Sequence, residues 1–279
     1  MSVGPGRLYL ALGLAGLAVL VLPAVWWAVQ RPSDDREWQP NMAVLPWAEF
    51  TDSLVRVHNV RNTEYRSVTD YTPRYDDRVY DLRDLDAVWF VVEPFAEWHG
   101  VAHTFLTFGF GDRQFVSISV EARKERGEEY NALKGLFRRY ELMYVVADER
   151  DAIGLRVGVR GNDVFLYPMR APVKRIRDVF VSMLERANAL REAPRFYNTL
   201  TENCTNTLAE HVNALVPGRI PFSYRLFLPG YSDELAYDLG LIDTDLPFEE
   251  ARRRFRIDPR GAADRDAEDF SLRIRELGG

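Results

Sequence analysis

The chain has 279 residues, a length for one or two domains, and its 47% apolar and 28% charged content is that of a globular protein rather than a largely disordered one. Thirty-six basic against 42 acidic residues give a net charge of −6, which argues against a nucleic-acid binder. A single cysteine excludes an intramolecular disulfide and a Cys-rich zinc module.

In chain order, residues 1–30 read as an N-terminal membrane anchor. Leu8 to Val29 gives 22 consecutive uncharged positions, which as a helix at ~1.5 Å per residue span roughly 33 Å, about a bilayer core. The run is too long for a cleaved signal peptide and ends in Trp26 and Trp27, which suit an interfacial belt. A buried soluble helix fits its length and its Gly, Trp and β-branched content poorly. Arg7 alone precedes the run, so charge hardly sets orientation. Its leader-like position is what places residues 31–279 outside the cytoplasm. The expectation is a single-pass membrane protein with its main domain outside the cytoplasm. The lone Cys lies far from this segment, which excludes lipobox lipidation.

Residues 31–46 are polar and proline-punctuated and read as a linker; residues 47–247 form the main domain, and 248–279 a charged C-terminal tail, a solvated helix or frayed end. Strands are predicted at Asp86–Glu93, Ala102–Phe110, Gln114–Arg123, Tyr140–Ala147 and Asp163–Tyr167. Gly111-Asp112 between two β-rich runs signals a hairpin. Val116, Ile118 and Val120 alternate with Ser117, Ser119 and Glu121, the period of a half-buried strand with a polar face. A helix from Pro172 to Arg191 carries Ile176, Val179, Phe180, Met183, Leu184, Ala187 and Leu190 at helical spacing. A second runs from near Cys204 to Leu215. Residues 221–240 show little regular pattern. The sum is an α+β fold of antiparallel strands packed with helices.

Cys204 sits in TENCTNTLAEHVNAL, with Thr201 or Asn203 placed to cap the helix that follows. A helix N-terminus carries about half a positive charge, which lowers a thiol pKa and favours the nucleophilic thiolate. The polar flanks Glu202, Asn203, Thr205 and Asn206 fit a buried gap-filling cysteine poorly. His103, on an apolar strand, is the candidate base. A two-residue hairpin loop places Val120 opposite His103, and a three-residue loop places Ser119 or Glu121 there. Glu121 is the favoured orienter, since a carboxylate best stabilises an imidazolium. His58 is expected at the surface. His211 lies ~10 Å along the helix from Cys204, too far to pair with it. A metal-dependent hydrolase built on Glu93, Glu97, His99 and His103 has poor spacing for tetrahedral zinc, so neither metal nor other cofactor is expected.

The order of WHGVAHTF, SISVEARKE and ENCTN resembles the Lnb N-terminal periplasmic domain family, named for a bacterial lipoprotein N-acyltransferase, over roughly residues 47–230. The same His-then-Cys order resembles the circularly permuted NlpC/P60 group of papain-like thiol enzymes. The resemblance implies a papain-like antiparallel sheet packed with helices. It also implies Cys204 as nucleophile, His103 as base, Glu121 or Ser119 as orienter, and an oxyanion hole at the Cys204 helix start aided by Asn203 or His99. It further implies a cysteine acyltransferase or amidase acting on lipoprotein, phospholipid or peptide, in a single-pass protein of a bacterial inner membrane that holds the bilayer through residues 8–29 and has its main domain in the periplasm. Phe222, Tyr224, Phe227 and Leu228 are candidates for an acyl groove. A cell-wall peptide hydrolase and a non-catalytic anchored binding module are the alternatives.

Overall fold

The computed structural model describes residues 5–111, 114–257 and 265–276. Helix α1 (Pro5–Val29) is continuous, with side chains described only in part. Among the described residues no helix is long and apolar enough to cross a membrane. Membrane insertion of α1 is therefore a proposal.

Among the described residues eleven strands follow: β1 (Trp47–Thr51), β2 (Leu54–Arg61), β3 (Glu64–Tyr65), β4 (Tyr71–Thr72), β5 (Tyr75–Asp81), β6 (Leu85–Pro94), β7 (Ala102–Phe110), β8 (Gln114–Arg123), β9 (Glu141–Ala147), β10 (Val164–Pro168) and β11 (Arg256–Ile257). The helices after α1 are α2 (Ala132–Gly135), α3 (Glu149–Gly154), α4 (Val173–Glu192), α5 (Cys204–Leu215), α6 (Ser232–Asp238), α7 (Phe248–Arg254) and α8 (Phe270–Glu276). One sheet runs β1-β2-β9-β8-β7-β6-β10-β11, with β5 also on β2; β3 and β4 pair separately. All pairings are antiparallel except β2 with β9. The fold is α+β.

The central strands are apolar on both sides because helices cover both faces. On one face Val88, Leu106, Ile118 and Tyr144 pack with Ile176, Phe180, Met183 and Leu184 of α4 and Leu208 of α5. On the other, Val91, Phe105 and Val145 pack with Ile153 of α3 and Phe270 and Ile274 of α8. This corrects the reading of β8 as half-solvated: Ser117 and Ser119 are buried, so its polar side is internal.

Three further expectations change. Five strands precede residue 86; their mixed charged and apolar residues hide the alternation. Residues 31–46 pack on the domain instead of linking loosely, since Trp38 and Met42 are buried and Arg123 donates to Asp34 Oδ1 and to the Met42 carbonyl. The region after 248 is not a solvated tail: β11 joins the sheet, Phe270 and Ile274 are buried, and Arg275 pairs with Glu149. In each case a few apolar anchors among many charges suffice to dock the segment. Residues 221–240, which showed little pattern, contain α6 and two short 3-10 turns. Asp112 of the expected hairpin turn lies outside the described residues; Gly111 has φ +58°, a conformation that glycine adopts without strain.

Candidate active site

The site forms where the start of β7 meets β8 and the first turn of α5. The β7–β8 ladder pairs Phe110 with Gln114 and Phe105 with Ser119, so three residues form the loop, and continuing the ladder brings Glu121 opposite His103. Across the other edge of β7, His103 pairs in register with Glu93 of β6.

His103 Nε2 lies 2.7 Å from Ser119 Oγ and 3.1 Å from Glu121 Oε1. Ser119 Oγ in turn donates to Glu121 Oε1 at 2.9 Å. Both sequence candidates for the orienter therefore converge on one nitrogen, Nε2. The thiol and the imidazole are in side-chain contact, and each shifts the other's ionisation.

Cys204 is the first residue of α5. Asn203 caps that helix: its Oδ1 accepts from the Asn206 N–H at 2.8 Å, and its amide nitrogen donates to the Thr199 and Leu226 carbonyls. Those bonds consume the Asn203 side chain. It positions the nucleophile and has no donor to spare for an oxyanion, which corrects its expected role. His99 packs edge-on against Tyr231 with ring centroids 4.8 Å apart and does not line the cleft that holds Cys204. Thr205 Oγ1 meets Thr104 Oγ1 at 3.0 Å and fastens the first turn of α5 to β7.

Charge favours an ion pair. Burial opposes the imidazolium of His103, but the Glu121 carboxylate and the Cys204 thiolate outweigh it and raise the pKa to about 9. Burial pushes the Cys204 thiol up, yet the facing imidazolium and Thr104 pull it down to about 7. Glu121, despite burial, is held well below the usual carboxylate range by His103 and Arg156. Between pH about 7 and about 9 the thiolate and imidazolium coexist. Alkylation of Cys204 by a neutral reagent is accordingly expected to rise with pH to half its plateau near 7. His103→Ala should move that midpoint up towards the free-thiol value of about 8.5. A stopped-flow pH series checks both; a native midpoint at the free-thiol value contradicts the ion pair.

A further layer, invisible in the sequence, supports Glu121. Arg156, buried in the turn after α3, bonds Glu93 at 2.5 Å and Glu121 Oε1 at 3.4 Å. Its guanidinium lies 4.8 Å from the Phe105 ring centroid. Arg160 and Asn162 complete the shell around Glu93. Glu93 is thus bound by guanidinium groups, and Glu97 is exposed away from it. Among the described residues no group of three or more His, Cys, Asp or Glu is arranged for one.

The other histidines are structural. His211, pushed down to about 4 by burial, is neutral and joins Tyr144 and Ser182 to α5. His58 is less exposed than expected: it stacks on Trp47 at 3.9 Å and meets Asp77 at 2.7 Å.

Cys204 and His103 open into a cleft of ≈ 550 Å³, within the usual size of ligand pockets. Its walls include Trp98, Leu133, Tyr197, Phe227, Leu228 and Lys124. Tyr197, which no sequence pattern marks, is kept protonated by burial and by the nearby thiolate, and its hydroxyl lies 3.3 Å from that of Tyr130. Of the aromatic groove candidates, Phe227 and Leu228 line this cleft, whereas Phe222 and Tyr224 do not. A second cavity, ≈ 390 Å³ and almost wholly apolar, lies between the sheet and α4–α6; Cys204 does not line it, so the chemistry belongs to the first.

The family model described as the Lnb N-terminal periplasmic domain matches residues 71–230, which include Cys204, His103, Ser119 and Glu121. Neither the curated proteins nor the solved structures contain a match to the chain.

Proposed function

The chain belongs to the Lnb N-terminal periplasmic domain family, and from that premise we propose that it is a membrane-anchored periplasmic thiol enzyme that works through an acyl-enzyme on Cys204. One observation carries the reading: a cysteine at a helix N-terminus contacts an imidazole whose Nε2 is held by a hydroxyl and a carboxylate. The helix placed beyond a strand histidine also supports the papain-like, permuted NlpC/P60-type arrangement.

The Cys204 thiolate attacks an ester or amide carbonyl, forming a C–S bond and an oxyanion. The first-turn N–H groups of α5, which a helix leaves without intrahelical acceptors, would receive that oxyanion together with Thr104, whose hydroxyl and backbone N–H already reach the sulfur. Collapse breaks the bond to the leaving group, which takes a proton from His103. The now neutral imidazole removes a proton from an incoming amine or water as it attacks the thioester. The acyl group leaves with the acceptor, and the thiolate–imidazolium pair returns. Ser119 and Glu121 keep the ring oriented and favour its charged form throughout.

The apolar part of the cleft wall favours acyl groups of lipid or lipoprotein over polar cell-wall peptides. Incubating the full chain with phospholipid, lipopeptide and peptidoglycan fragments tests this by intact mass. A mass increment on Cys204 from a lipid or lipoprotein donor supports acyl transfer. An increment only from a wall peptide assigns a peptide hydrolase instead, and no increment from any donor favours a non-catalytic binding module.

A further inference from the structure

The segment between β8 and β9 carries α2 and the turn that follows it, ALKGLFRR, residues 132–139. Leu133 is 69% exposed and Phe137 56% exposed, two large apolar side chains four positions apart. Lys134 is exposed beside them, and Arg139 pairs with Glu128 at 2.8 Å. The same segment meets the first helix: Arg138 Nη1 donates to the Trp27 carbonyl at 3.0 Å, and its guanidinium lies 3.7 Å over the Trp27 ring.

Trp26 and Trp27 end the apolar run of α1, and such residues settle at the headgroup level when a helix enters a bilayer. A direct contact between Arg138 and Trp27 puts residues 132–139 at that depth. The placement is not left to a loose tether, because residues 33–38 are fastened to β8 and β9 through Arg123–Asp34 and Arg36–Glu141. Leu133 and Leu136 also wall the cleft that holds Cys204, and Leu200, 49% exposed, lies on the same wall.

We propose that residues 132–139 form a second membrane-contact element, with Leu133 and Phe137 set into the bilayer interface, Lys134 against anionic headgroups and Arg138 joining the element to Trp27, so that the Cys204 cleft opens onto the lipid surface. The proposal rests on the reading that α1 inserts in the membrane. Apolar side chains flanked by basic ones are the composition of an interfacial element, and their binding adds to that of an anchor. An acylated substrate then reaches Cys204 laterally from the bilayer, without crossing water.

The test uses the full chain with Cys204→Ser, carrying Phe137→Cys or Leu133→Cys labelled with an environment-sensitive nitrobenzoxadiazole dye. It is reconstituted in vesicles of phosphatidylethanolamine and phosphatidylglycerol. Asp245→Cys, fully exposed beside Arg170 at the opposite end of the sheet, is the aqueous reference. The expected result is a blue-shifted emission, quenched by headgroup spin labels, at 133 and 137 but not at 245. Emission at 133 and 137 equal to that at 245, in protein that floats with the vesicles, overturns the proposal and leaves the anchor intact. Failure to float overturns the anchor and this proposal together. As a functional check, Phe137→Asp in the native chain should lower Cys204 acylation from vesicle donors at least ~10-fold. Alkylation of Cys204 by a soluble reagent should be unchanged; equal loss of both overturns the interfacial role.

Discussion

Cys204→Ala and His103→Ala are each expected to lower acyl turnover by about 10³-fold or more, because the nucleophile and its base act as one unit. The double variant should be little slower than either single one. Near-additive losses would instead mean that the two side chains act separately. Glu121→Gln is expected to fall between native and these variants. It keeps a hydrogen bond to the ring but removes the charge that holds the His103 pKa near 9. Its alkylation midpoint should therefore move up along with its loss of turnover. Ser119→Ala leaves Glu121 in place at 3.1 Å and should cost less than Glu121→Gln. Initial rates with whichever donor labels Cys204, together with the alkylation midpoints, give the whole series.

The largest expected effect on stability lies one layer behind the chemistry. Arg156→Ala removes the main partner of Glu93, a carboxylate with no exposed surface. Breaking a buried pair on one side strands a charge and costs about 3–5 kcal/mol, which urea titration at neutral pH would show as a lower midpoint. The pH dependence should change sign. In the native protein the Glu93 pKa lies below its ordinary 4.5, because Arg156 and Arg160 overcome its burial. Its contribution is thus present above 4.5 and is lost as pH falls through the lower folded value. Without Arg156, burial dominates and pushes the carboxyl up, so stability should fall as pH rises above 4.5. Arg156→Met with Glu93→Leu should recover much of the loss, since two apolar side chains leave no charge behind. A double variant as unstable as Arg156→Ala would place the cost in packing rather than charge.

Particular residues show what could be read without coordinates. The alternation of Ser117, Ser119 and Glu121 with Val116, Ile118 and Val120 marks β8 and puts the polar residues on one side. The polar flanks of Cys204 mark a helix start, and the structure begins α5 at that residue. The period of 3.6 in α4 is equally plain, because one face is apolar and the other charged. Strands β1 to β5 and helices α2, α3 and α6 show no legible period, because their short apolar anchors are outnumbered by charged neighbours. Arg156 carried no signal at all. It is one arginine among many, lies 35 residues from Glu121 in the chain, and reaches it only through the turn after α3.

Chain chemistry by itself determined the reactive residue types, the periodicities of the central strands and long helices, and the capped start of α5, because these depend on neighbours a few positions away. Only the folded arrangement decided that the serine face of β8 is internal, that Ser119 and Glu121 share one imidazole nitrogen, and that Arg156 stands behind them. Those facts depend on the β7–β8 register and on helices packing both faces of the sheet. Such long-range contacts are set by the loop length and by burial of the whole core, and no local pattern encodes them.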